Sequence, residues 1–127
     1  MSGFVLDASA VLAVLLTEDG AENVLRQVGG ASISSVNRCE VGTRLLDLGG
    51  SVEESNRRFN GLALDVIPFD AEQAADAAAL RLVTRHRGLS LGDRACLALA
   101  RAQGRAVLTG DRNWEGLKVG VVIELIR

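Results

Sequence analysis

The chain has little that would staple it, anchor it or lead it out of the cell. Two cysteines in 127 residues are too few for a disulfide scaffold, and no C-x-x-C pair suggests redox or metal work. No apolar run reaches the roughly 18 residues of a membrane span. Met1–Leu16 lacks the basic start and small-residue cleavage site of a secretory signal. A soluble, cytoplasmic protein without membrane association is therefore expected. Repeats, low-complexity stretches and linkers are missing as well. The single histidine, His86, lies between Arg85 and Arg87 and reads as a solvated residue, which leaves a zinc site without support. Lys118 is the only lysine. The other bases are arginines, whose two-pronged guanidinium suits phosphate, although codon bias toward Arg in a GC-rich genome gives the same composition. A net charge of −2 is not the basic coat of a general nucleic-acid binder.

What is present is enough for a core. With 48% hydrophobic residues the chain is not disordered. One domain over residues 1–127 is the natural count, with a radius of gyration of roughly 14 Å and about two-thirds of the extended surface buried. Apolar strand patterns at Phe4–Leu6, Ala31–Ser34, Asp65–Phe69, Ala106–Thr109 and Val121–Leu125 alternate with helical ones. The helices are expected after Ser9 to Leu16, from Ala21 to Val28, and from Val36 to Leu48 under a Ser35 cap. Three more follow: one behind a Ser51/Glu54 capping box, a long Ala-rich one from Asp70 to about Arg87, and one from Leu91 to Gln103. A turn or a single helical turn is expected at Gly110–Trp114. This alternation predicts an α/β fold: three layers, α/β/α, around a central parallel five-stranded sheet whose strands are buried on both faces. In such sheets ligands bind beyond the carboxyl ends of the strands, where strand order reverses.

Four acids fall at that rim. Asp7 ends strand one, and Asp111 follows strand four after Thr109–Gly110. If these strands are neighbours across the switch point, the two carboxylates share one crevice. Glu40 lies in the first turns of its helix, and Asp93 begins a helix that is apolar all round from Ala95 to Ala100, as a buried helix is. Each acid also has a purely structural reading. Asp7 caps a helix, Glu40 pairs with Arg44 at i,i+4, Asp93 completes a capping box with Ser90, and Asp111 starts a turn. All four readings must hold together for the cluster to be accidental. Two carboxylates about 4 Å apart repel by roughly 4 kcal/mol at an effective dielectric of 20. Such a site must bind protons or a cation, and oxygen-only ligands select hard ions such as Mg²⁺ or Mn²⁺.

The segments Phe4–Ala10, Val36–Val41, Leu89–Ala98 and Leu108–Trp114 resemble the four acidic motifs of the PIN domain, and more narrowly the VapC toxins of bacterial toxin–antitoxin pairs. The resemblance runs from about residue 4 to residue 125. It implies an Mg²⁺- or Mn²⁺-dependent endoribonuclease in which Asp7, Glu40, Asp93 and Asp111 hold the metal that activates water. By the same resemblance Ser9 and Thr109 stand where a hydroxyl often bonds the acids; Arg112 is a candidate contact to substrate phosphate and Asn113 a candidate to orient a ligand. Capping, turn and solvated-charge readings stay open for these four. Trp114 reads as a core plug rather than a stacking platform, and Cys39 and Cys96 as free buried cysteines. One departure is Gly92, where a family member often has Ala. The family further implies RNA as substrate, a cognate VapB-type antitoxin and a homodimer. Apolar positions beyond core needs, among them Leu12, Leu16, Leu25, Leu46 and Leu48, are compatible with a groove for a partner helix. Two alternatives are weighed against the nuclease. A catalytically inactive PIN-like binding module conflicts with four intact acids. A phosphatase with a strand-end Asp nucleophile wants a second Asp where Ser9 stands.

Overall fold

The computed structural model describes residues 3–127. In chain order the elements are β1 (Val5–Leu6), α1 (Ala8–Leu15), α2 (Ala21–Leu25), β2 (Ser32–Ser34), α3 (Ser35–Asp47), α4 (Val52–Asn60) and β3 (Asp65–Ile67), then α5 (Ala71–Ala79), α6 (Arg81–Thr84), α7 (Leu91–Gln103), β4 (Val107–Thr109) and β5 (Ile123–Leu125). All five strands are parallel, in the order β3-β2-β1-β4-β5. The α/β reading therefore holds, and β1 and β4 are direct neighbours with Val5 opposite Val107 and Leu6 opposite Leu108. Chain order runs outward from β1 to β2 and β3 on one side and from β4 to β5 on the other. The switch point is thus the β1–β4 pair.

Successive strand residues face opposite sides, and the core divides accordingly. Val5 and Val107 pack with Ala77, Leu80, Leu89, Trp114 and the apolar turns Cys96–Ala100 of α7. Leu6 and Leu108 pack with Ala10, Val11, Val24, Val41, Leu45 and Phe59 from α1 to α4. These are the two outer layers. Continuous apolar strands buried on both faces are found only in part. β1, β2 and β4 are buried, but β3 and β5 are edge strands with exposed positions, and β2 reads Ser-Ile-Ser.

Several local expectations shift by a residue or more. Asp7, not Ser9, caps α1, because its carboxylate takes the Ala10 N–H at 2.9 Å. Ser34, not Ser35, caps α3: the Ser35 hydroxyl accepts from the Phe69 N–H at 3.0 Å instead. α2 stops at Leu25. Ser51 caps α4 through the Glu54 N–H, but without the return bond of a full box. The long Ala-rich helix breaks into α5, α6 and a 3-10 turn at Arg85–Arg87. The Thr84 hydroxyl donates to the Leu80 carbonyl at 2.8 Å, a back-bond of the kind that bends helices. Gly88 then closes the segment at φ +65°, in the left-handed region that favours glycine. Cys96 is buried as expected, whereas Cys39 is exposed, because it lies on the outer side of α3.

Candidate functional site

β1 is short and buried, so the residue that ends it arrives at the rim with its backbone already committed to the sheet. That residue is Asp7, 5% exposed. Its Oδ1 accepts from the Ser9 hydroxyl at 2.7 Å and the Ala10 N–H at 2.9 Å. Its Oδ2 accepts from the Thr109 hydroxyl at 2.5 Å, a bond spanning 102 positions of chain. The two hydroxyls are themselves oriented, since the Gly110 N–H donates to Ser9 Oγ at 2.8 Å and the Asp111 N–H to Thr109 Oγ1 at 3.0 Å. Both hydroxyls that the resemblance set against the acids thus donate to Asp7. Burial outweighs these three donors and pushes the Asp7 carboxyl up from 3.8 to about 6, with the Asp93 charge adding to the rise.

Asp93 enters from the start of α7. Ser90 and Asp93 form a reciprocal capping box, the Ser90 N–H donating to Asp93 Oδ2 at 2.9 Å and the Asp93 N–H to Ser90 Oγ at 3.2 Å. The capping reading of Asp93 is thus correct, and the same side chain still lies in the acid cluster. Burial raises its carboxyl above the ordinary range, opposed by the Ser90 bonds and reinforced by the Asp111 charge. Asp111 caps the 3-10 turn Arg112–Trp114 through the Asn113 N–H at 2.9 Å. Glu40 projects from α3, and its Oε1 accepts from Asn37 Nδ2 at 2.8 Å. No ion pair joins Glu40 to Arg44 among the described residues. Cys96, fully buried one turn along α7 from Asp93, has its thiol pushed well up by burial and then by the fields of Asp7, Asp93 and Glu40. These mutual effects link all four acids to one region of the molecule.

The donor set suits a hard cation, since every candidate ligand atom is a carboxylate oxygen. Each acid also keeps capacity. Asp93 Oδ1, Asp111 Oδ2 and Glu40 Oε2 have no protein donor among the described residues, and Asp7 uses three of its roughly four lone-pair directions. Among the described residues no three His, Cys, Asp or Glu side chains close tightly enough to enclose an ion. The fit therefore lies in chemistry and free oxygens, not in a finished cage.

The remaining sequence candidates separate. Asn113 is spent on the fold, its Nδ2 donating to the Arg87 carbonyl at 2.6 Å while Arg87 Nη1 donates back to the carbonyls of Asn113 and Glu115. Arg112 is exposed beside Asp111, and Trp114 is fully buried. Sequence reasoning gave Asn37 no role. The available signal was its position three residues before Glu40, which places both on one helix face.

Solved structures share this fold at low identity. A chain of VapBC2 from Rickettsia felis, solved bound to a DNA fragment from their promoter, is 16% identical with a TM-score of 0.77, over 97% of this chain and 98% of that one. A chain of DNA-bound VapBC from Salmonella typhimurium is 19% identical with a TM-score of 0.76, over 100% of both. A chain of VapBC-5 from Mycobacterium tuberculosis, a member of a toxin–antitoxin family, is 21% identical with a TM-score of 0.63, over 100% and 99%. At such identities the likeness is one of fold. No curated protein matches the sequence. The PIN domain family model, however, matches residues 4–119. That span begins in front of Asp7 and ends beyond Asp111, taking in the whole β1–β4 rim and every acid on it, and the chain belongs to the PIN domain family.

Proposed function

We propose that this chain is an Mg²⁺- or Mn²⁺-dependent endoribonuclease and the toxin of a type II toxin–antitoxin pair. PIN-domain proteins are generally nucleases that use divalent metals. The observation that supports the reading is that Asp7, Glu40, Asp93 and Asp111, from four separate elements, act on one another or jointly on Cys96, each with oxygen capacity free of protein donors among the described residues. These four would hold the ion. When bound, it would polarise an RNA phosphate and lower the pKa of an attacking water. Ser9 and Thr109 keep the Asp7 carboxylate in one orientation, so its remaining lone pair faces a fixed direction. Arg112, exposed next to Asp111, is placed to meet substrate phosphate. With a net charge of −2, RNA contact must come from such local arginines together with the ion.

The fold shared with chains solved as VapBC complexes supports a VapB-type antitoxin as partner; a homodimer is proposed as the assembly. Leu25 on α2, Leu46 on α3 and Leu48 just after it remain exposed, in keeping with a partner helix. We place this action in the cytoplasm, in a single domain of residues 1–127. No helix among the described residues is long and apolar enough to cross a membrane. The test is cleavage of structured total RNA by antitoxin-free protein. Discrete cuts with Mg²⁺ or Mn²⁺, lost with EDTA and with Asp93→Asn, are expected. A folded protein that makes no cuts and binds no divalent ion in calorimetry would instead be an inactive binding module.

A further inference from the structure

Asn37 is 1% exposed in the first turn of α3. Its Nδ2 donates to two acceptors, Glu40 Oε1 at 2.8 Å and the Gly92 carbonyl at 3.0 Å. A carbonyl accepts and cannot donate, so Gly92 fixes which end of the amide turns toward Glu40. The other end, Oδ1, is buried with no donor among the described residues. A buried amide left half satisfied costs free energy, so packing alone is a poor reason for asparagine at this position.

Gly92, across the α3–α7 contact, completes the arrangement. Its φ is not in the left-handed region, so backbone conformation does not require glycine. Space does. A Cβ there would lie 2.3 Å from Glu40 Oε2 and 2.6 Å from both Cδ and Oε1. The Glu40 carboxylate therefore rests against the bare backbone of α7, one residue before Asp93. Because the clashing atoms end a flexible side chain, a methyl group at position 92 would move the carboxylate rather than break the fold.

The chemistry of the clamp is specific. Among the described residues Glu40 receives no cation, and its one side-chain donor is a neutral amide. An arginine or lysine in that place would orient the carboxylate but also neutralise it. An amide orients it and leaves the full negative charge available. Resting on the metal-nuclease reading above, we propose that Asn37 and Gly92 are positioning residues that seat Glu40 as an anionic ligand beside Asp93.

The test measures Mn²⁺ affinity, by the EPR signal of free ion, alongside RNA cleavage and thermal melting. Asn37→Ala and Gly92→Ala should each weaken Mn²⁺ binding roughly 10–100-fold, the usual effect of losing a partner that orients a ligand. In a Glu40→Gln background the same substitutions should change affinity less than about twofold, since the residue they act through is already disabled. Gly92→Ala should melt close to wild type, which keeps the test open if Asn37→Ala folds poorly. Wild-type binding that neither substitution weakens, or losses equally large in the Glu40→Gln background, would overturn the positioning role while leaving the nuclease standing. Wild-type protein that binds no Mn²⁺ and cuts no RNA would overturn the reading beneath it.

Discussion

Asp7 is held by opposing influences whose balance can be measured. Three donors favour its charged form, burial opposes it, and burial wins, leaving the carboxyl at about 6. A folded-state value above the ordinary 3.8 means that the folded protein binds more protons than the unfolded chain between roughly pH 4 and 6. Stability from this group is therefore complete below pH 4 and lost as pH rises through 6. In EDTA, thermal melts should show wild type losing stability over that window. Asp7→Asn should flatten the loss and be the more stable protein at pH 8, by on the order of 1–3 kcal/mol. Asp93, also raised by burial, should contribute to the slope that remains. A neighbouring change should act in the other direction: Thr109→Val removes the donor to Asp7 Oδ2 and the acceptor of the Asp111 N–H. Denaturant titration at pH 7 should record a loss of about 1–3 kcal/mol. The resemblance set the Thr109 hydroxyl against the acids in general, but which carboxylate it reaches was not legible, because 102 positions separate it from Asp7.

At the scale of elements, α7 was the most legible. Its Ser90 start, Gly104 stop and apolar interior specify it locally, and the reciprocal box with Asp93 formed as those residues imply. Ser90→Ala should cost about 0.5–2 kcal/mol in urea melts, typical of a lost N-cap. Its RNA cleavage should fall less than that of Asp93→Asn, since the Ser90 N–H still holds Asp93 Oδ2. Other boundaries depend on partners outside their own segment. Two adjacent serines can each cap α3, and the choice falls to Ser34 because Ser35 serves Phe69, 34 residues away. The Ala-rich pattern from Asp70 favours a continuous helix, yet Thr84 bonds back to Leu80 and the segment bends into shorter pieces that wrap the core. Propensity is a weak prior where packing decides the path.

For the whole molecule, the two apolar clusters on either side of the sheet set the stability against which site substitutions must be read. Trp114 is the largest fully buried side chain and anchors the turn that carries Asp111. Trp114→Ala should cost about 3–5 kcal/mol. Melting should show this as a large fall in Tm, and cleavage should fall with it as the turn loosens. The sequence by itself determined the α/β class, the parallel sheet and the acids at element ends, because hydrophobic period, caps and turn residues act over a few positions. Only the tertiary structure decided that β1 lies beside β4, that Thr109 reaches Asp7, and that Glu40 leans on Gly92 under the Asn37 amide. Those contacts join residues dozens to a hundred positions apart. They exist only once burial of both sheet faces has fixed the order of the strands.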